Sequence, residues 1–165
     1  MYRKAASSAP APDPSCVVLP GEGLRGIWVG HAIPDEVLAT FGSDADVFRH
    51  DDGDVFQISY DDLVQPASAS RPCQFHFEHG LLKRIEVGPY QKGLLTDAGL
   101  RIGSTRDEVL ATMGEPSEEL RYRGALLNLR DDIDTLRYLT RGIQFAIHDD
   151  GRVASFGIFQ TRRRD

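Results

Sequence analysis

Apolar residues along this chain change period in a fixed order, and the order runs through twice. Asp35-Glu36-Val37-Leu38-Ala39-Thr40-Phe41-Gly42 sets Val37, Leu38 and Phe41 on one side of a short helix. The same residues return as Asp107-Glu108-Val109-Leu110-Ala111-Thr112-Met113-Gly114, with Met113 in place of Phe41. The offset is 72 residues, from 35 to 107, and so long a match in so short a chain points to an internal repeat. Thr105 and Glu108 have the spacing of a capping box, while Pro34 suits the first helical position of the earlier segment. Gly42 and Gly114 end the two helices, and Pro116 blocks any continuation of the second.

After each helical stretch the period shortens to two. Phe56, Ile58 and Tyr60 fall on one side of a strand over 54–60. A loop is expected over 66–72, then a hairpin from Gln74-Phe75-His76-Phe77-Glu78 through His79-Gly80 to Leu82 and Val87. The later part reads as strands over 126–129, 135–139, 143–147 and 153–159, with Phe145 and Ile147 corresponding to Phe75 and Phe77. Gly26-Ile27-Trp28-Val29-Gly30 aligns with Gly99-Leu100-Arg101-Ile102-Gly103, which sets Trp28 opposite Arg101.

Helices of two turns are not stable alone and must lie on a sheet. The expected class is therefore α+β: two tandem repeats, each a short helix followed by a three- to four-stranded antiparallel sheet, joined into one curved sheet with the helices on one face. The expected divisions are a disordered tail with an edge strand at Cys16-Val17-Val18-Leu19 (1–22), a first unit (23–88), a second unit (89–160) and a basic tail (161–165). Gly88-Pro89-Tyr90-Gln91-Lys92-Gly93 would link the units.

Composition narrows the function. The chain has 165 residues, 41% hydrophobic and 27% charged, ordinary for a globular protein able to bury its own core. A net charge of −6 and a pI near 5.3 argue against general nucleic-acid affinity, and Arg162-Arg163-Arg164 is too short a run to reverse that. No apolar run approaches the ~18 residues of a membrane span, and Met1-Tyr2-Arg3-Lys4 is followed by no apolar stretch, so a cytoplasmic location is expected. Cys16 and Cys73 lack metal-ligand spacing and are expected as two thiols.

Candidate chemistry is sparse. His50-Asp51-Asp52-Gly53 and His148-Asp149-Asp150-Gly151 are the same tetrapeptide, but they lie 98 residues apart, so they do not match the repeat offset. Asp-Gly between alternating strands is a hairpin signal, and both are expected as turns with no metal. His76 and Glu78 share a strand face with Gln74 and form the one conceivable acid–base pair of a small hydrolase. Ser104 and Thr105 are read as helix caps. No phosphate-binding loop, nucleophile elbow or cofactor motif is present, so no cofactor and no catalysis are expected.

Gly103-Ser104-Thr105-Arg106-Asp107-Glu108-Val109 through Gly114-Glu115-Pro116 resembles the unit shared by the small outer-membrane assembly lipoproteins and the β-lactamase inhibitory protein. That resemblance covers about residues 23 to 160 and implies a concave, protein-binding sheet. Cys16 and Cys73 do not supply the disulfide that the inhibitor family carries in each unit, so no contact residue is carried over. The expected function is a protein-binding module of the immunity or inhibitor kind, neutralising another protein such as a basic toxin or enzyme; the alternative is an assembly protein. Strand alternation assigns partner contacts to the polar sheet face through Gln74, His76, Arg84, Glu86 and Gln144, with Trp28 as an aromatic anchor.

Overall fold

The computed structural model describes residues 16–60, 73–89, 91, 93–123 and 132–161. The expected tail over 1–15, the loop over 66–72, the strand over 126–129, Tyr90 and Lys92 of the linker, the Cys73 side chain and the basic residues 162–165 lie outside the described residues. In chain order the elements are β1 (Val17–Leu19), β2 (Gly23–Leu24), β3 (Ile27–Trp28), α1 (Pro34–Phe41), β4 (Asp46–Arg49), β5 (Val55–Tyr60), β6 (Cys73–Glu78), β7 (Leu81–Val87), β8 (Leu95–Thr96), α2 (Arg106–Met113), β9 (Glu118–Tyr122), β10 (Ile133–Tyr138), β11 (Ile143–His148) and β12 (Val153–Phe159).

Each copy of the repeated octapeptide lies in an eight-residue helix that starts one residue before it and is closed by its glycine, Gly42 or Gly114. Thr105 caps α2 reciprocally: its hydroxyl accepts from Glu108 N–H at 3.1 Å, and its own N–H donates to the Glu108 carboxylate at 2.7 Å. At α1, Pro34 enters the first turn and the Ile33 N–H donates to Glu36 at 3.0 Å. Val37 and Val109 are fully buried, while Leu38 and Leu110 are half-buried against the same core.

The α+β class of helix-then-sheet repeats is corrected by the sheets. Among the described residues twelve strands form two sheets, one of four strands in the order β3-β2-β1-β8 and one of eight in the order β4-β5-β6-β7-β12-β11-β10-β9. With only two short helices beside them, the protein is mostly β. Two causes account for the difference. The four-stranded sheet is built from strands of two or three residues, too short to show any periodicity. β4 and β9, the outer strands of the large sheet, are charged and largely exposed, as edge strands that resist pairing with other chains tend to be. β1, expected at an edge, is interior to its sheet, antiparallel to β2 and parallel to β8.

One face of the large sheet fills the core. Phe75, Phe77, Ile85, Phe145, Ile147 and Phe156 are at most 4% exposed. The helices sit on this face. Phe41 packs on Phe75 with ring centroids 5.1 Å apart, and the small sheet adds Val18, Leu24 and Ile27 to the same cluster. Phe56 is not in that cluster. A bulge between Phe48 and Arg49 shifts the register, so Val55 packs on the core and Phe56 stacks instead near Phe48 and His50. Gln91 within the expected linker, and Leu94 just after it, are buried.

Both His-Asp-Asp-Gly segments are hairpin turns. In each, the glycine N–H returns to the histidine carbonyl at 2.9 Å, and the second aspartate accepts from the N–H two residues on, at 3.0 Å for Asp52 and 2.9 Å for Asp150. Gly53 and Gly151 take φ of 92° and 76°, the backbone region that such turns require.

Candidate functional site

Cross-strand partners place side chains on a common face, and the pairings of the large sheet trace two polar rows opposite the core. One row crosses all eight strands: Asp46, Ser59, Gln74, Glu86, Gly157, Gln144, Arg137 and Glu118. Its neighbour runs Phe48, Gln57, His76, Arg84 and Phe159. Five of the six expected contact residues thus share one face: Gln74, Glu86 and Gln144 in the first row, His76 and Arg84 in the second.

The centre of this face is a linked set of charges. Glu86 accepts from the Arg84 guanidinium at 2.8 Å and stands 3.6 Å from His76 Nε2, a separation long for a hydrogen bond. The His76 imidazole, with the Arg84 guanidinium behind it, holds the Glu86 carboxyl below its usual range, against the opposing effect of burial. His76 Nε2 is itself buried with no hydrogen-bond partner among the described residues. Arg137 pairs with Glu118 at 2.9 Å and lies over the Phe159 ring, 5.9 Å from its centroid. Between Glu86 and Gln144 the row holds Gly157, which leaves a notch at the middle of the face.

Exposed apolar side chains stand at the margins. Phe48 is 45% exposed at one edge of the sheet, and Leu120 and Tyr122 are 36% and 42% exposed on β9 at the other. Leu120 pairs with Thr135 and Tyr122 with Ile133, continuing the polar face to its end. Sequence reading missed these residues, together with Phe159 and Arg137. The available signal was the alternation of Glu118-Glu119-Leu120-Arg121-Tyr122, masked by its charges.

Trp28 is elsewhere. It is 43% exposed on the helix side, at a groove of about 330 Å³ that it lines with Glu36, Ala39 and Thr40 of α1. His76 and Glu78 are not brought together as a dyad. The carboxylate beside His76 is Glu86, while Glu78 stands exposed at the end of β6, paired across the turn with Leu81. Among the described residues no group of three or more His, Cys, Asp and Glu side chains is placed to hold a metal, and no helix is long and apolar enough to cross a membrane.

No family model matches the chain, and no curated protein matches it. Among solved structures, the crystal structure of a DUF4309 family protein, YjgB, from Bacillus subtilis subsp. subtilis str. 168 is similar at 13% sequence identity and a TM-score of 0.46, over 85% of this chain and 88% of that one.

Proposed function

We propose that the protein is a binding module of the immunity or inhibitor kind, which neutralises a partner protein through the polar face of its eight-stranded sheet. The observation that carries this reading is the row from Asp46 to Glu118, which brings Gln74, Glu86 and Gln144 into line across every strand. Such a face offers polar groups held by neighbouring strands at the centre and exposed Phe48, Leu120 and Tyr122 at the rims. Groups held in place before binding lose less freedom on association, which favours affinity. The net charge of −6 favours a basic partner, since complementary charge speeds encounter.

The test uses the partner isolated on the immobilised protein and identified, with affinity then measured by calorimetry. Exchanging the central charges, Arg84→Glu with Glu86→Arg, keeps an ion pair within the strand but inverts the pattern shown to a partner. The pair is half-buried and keeps its charges within the strand, so the exchange should cost little stability, which thermal unfolding of the variant checks. Affinity should fall more than tenfold. If it survives this exchange while Asp107→Lys on exposed α2 abolishes binding, the partner docks on the helix side and the reading fails.

A further inference from the structure

Trp28, the protein's single tryptophan, is 43% exposed at the rim of the groove between β3 and α1, away from the polar sheet face. We propose that this groove is a second docking site and that it takes an arginine side chain from a partner protein. The site stands on its own geometry, on the side of the sheet that carries the helices, and does not depend on the polar face being an interface.

Three observations carry it. First, the exposed Trp28 lines a groove together with Glu36 and His31, and neither a lysine nor an arginine lines it. A tryptophan face and a carboxylate are the two groups that recognise a guanidinium, one by its ring electrons and the other by charge-assisted hydrogen bonds. Second, Glu36 is held in position: one of its oxygens accepts from the Ile33 N–H at 3.0 Å, and a carboxylate retains further acceptor capacity. Third, the chain contains a counterpart in which the cation is its own. The groove beside α2 is lined by Glu108 and Thr112, the octapeptide residues that match Glu36 and Thr40, but it also holds Arg101 and Arg152. There Arg152 donates to the Gly103 carbonyl at 2.9 Å. The α1 groove keeps the acid, has Trp28 where sequence alignment places Arg101, and lacks both guanidinium groups.

Size fits the same occupant. About 330 Å³ is at the small end of ligand clefts, and the small Gly26, Ala32 and Ala39 line it beside the larger Ile27, Trp28 and His31. A flat guanidinium that stacks on an aromatic ring suits such a slot better than a compact ammonium does.

Because Trp28 is the only tryptophan, its emission reports directly on the groove. The full-length protein is titrated with acetyl-Gly-Arg-Gly-amide and, in parallel, with the peptide in which neutral citrulline replaces arginine. The arginine peptide should give a saturable change in emission, and the citrulline peptide should bind at least tenfold more weakly. Glu36→Gln should weaken the arginine peptide at least fivefold without unfolding the helix, since glutamine can also occupy that capping position. Glu108→Gln, in the other groove, should leave binding unchanged. Trp28→Ala should abolish peptide-induced amide shifts at Ala39 and Thr40, followed by NMR. Equal binding of the two peptides, an unchanged Glu36→Gln affinity, or no saturable response would each overturn the proposal.

Discussion

The Tyr138 hydroxyl donates to the Gly114 carbonyl at 3.0 Å, joining the end of α2 to the core face of β10. Tyr60 and Gly42 make the same bond at 2.7 Å between β5 and the end of α1. Each ties down a helix carbonyl that has no partner within its own helix. Each tyrosine ring meanwhile packs edge-on against a core phenylalanine, Phe145 or Phe75.

Tyr138→Phe should therefore keep the packing and lose only the bond. The expected cost is about 1 kcal/mol, seen in thermal unfolding as a fall of ~2–4 °C. The Tyr138 phenol is also held above its usual pKa, by burial first and by Glu115 second. The unfolded phenol ionises near pH ~10, so this stabilisation is complete below that pH and declines as pH rises towards the folded value. Tyr138→Phe should lack that alkaline decline; a variant that loses stability in parallel with wild type above pH 10 would assign the effect elsewhere.

Much of this was legible in the chain. Both octapeptides are helices because their caps, apolar stripes and closing glycines agree locally, and the paired phenylalanines of β6 and the apolar alternation of β11 marked the core face. The class was not legible. Asp46–Arg49 and Glu118–Tyr122 are edge strands whose charges hide their alternation, and no period is visible in Gly23–Leu24 or Leu95–Thr96. That Gln74, His76, Arg84, Glu86 and Gln144 share one sheet face was legible, because alternation fixes the side of a strand on which a residue lies. Trp28 lies away from that face: its strand has two residues and belongs to the other sheet, so no alternation connected it to β6 or β7.

Glu86 should give the protein an acid-sensitive component. Its carboxyl is held below the ordinary range by His76 and then Arg84, so its contribution is present above the unfolded pKa of about 4.3 and is lost as pH falls through the lower folded value. Urea unfolding of wild type and Glu86→Gln across pH 3 to 7 should show a stability gap that is constant above about pH 5 and narrows below pH 4. A gap that widens on acidification would contradict the assigned direction. Glu119, lowered by Arg106 at the edge of the sheet, should behave likewise but more weakly, because it is exposed.

Val109 has no solvent exposure, whereas Leu110 beside it is half-buried. Val109→Asp would bury an unpaired charge and should cost more than ~3 kcal/mol, enough to unfold a marginal domain. Leu110→Asp, able to turn its carboxylate to water, should cost clearly less. Circular dichroism with urea titration distinguishes them, and equal losses would show that the two positions share one environment.

Two glycines of the same region should respond oppositely to an added methyl. Gly142 has φ of +67°, and a Cβ there would run into the Phe159 carbonyl and the Gly21 backbone, so Gly142→Ala should destabilise by more than ~2 kcal/mol. Gly157 is the reverse case. An added Cβ would meet Gln144 and the Ile85 carbonyl at 3.6 Å, which is ordinary contact. Gly157→Ala should leave stability unchanged or raise it by ~0.5 kcal/mol, because the unfolded chain loses freedom. The new methyl would nevertheless fill the notch between Glu86 and Gln144, at the middle of the row that crosses every strand. Partner affinity should then drop about tenfold while the melting temperature does not, since tightly packed interface centres tolerate added volume poorly. Such separation of binding from folding would locate the interface on the polar face. An unchanged affinity in a well-folded Gly157→Ala would show that the notch is not at the centre of the interface.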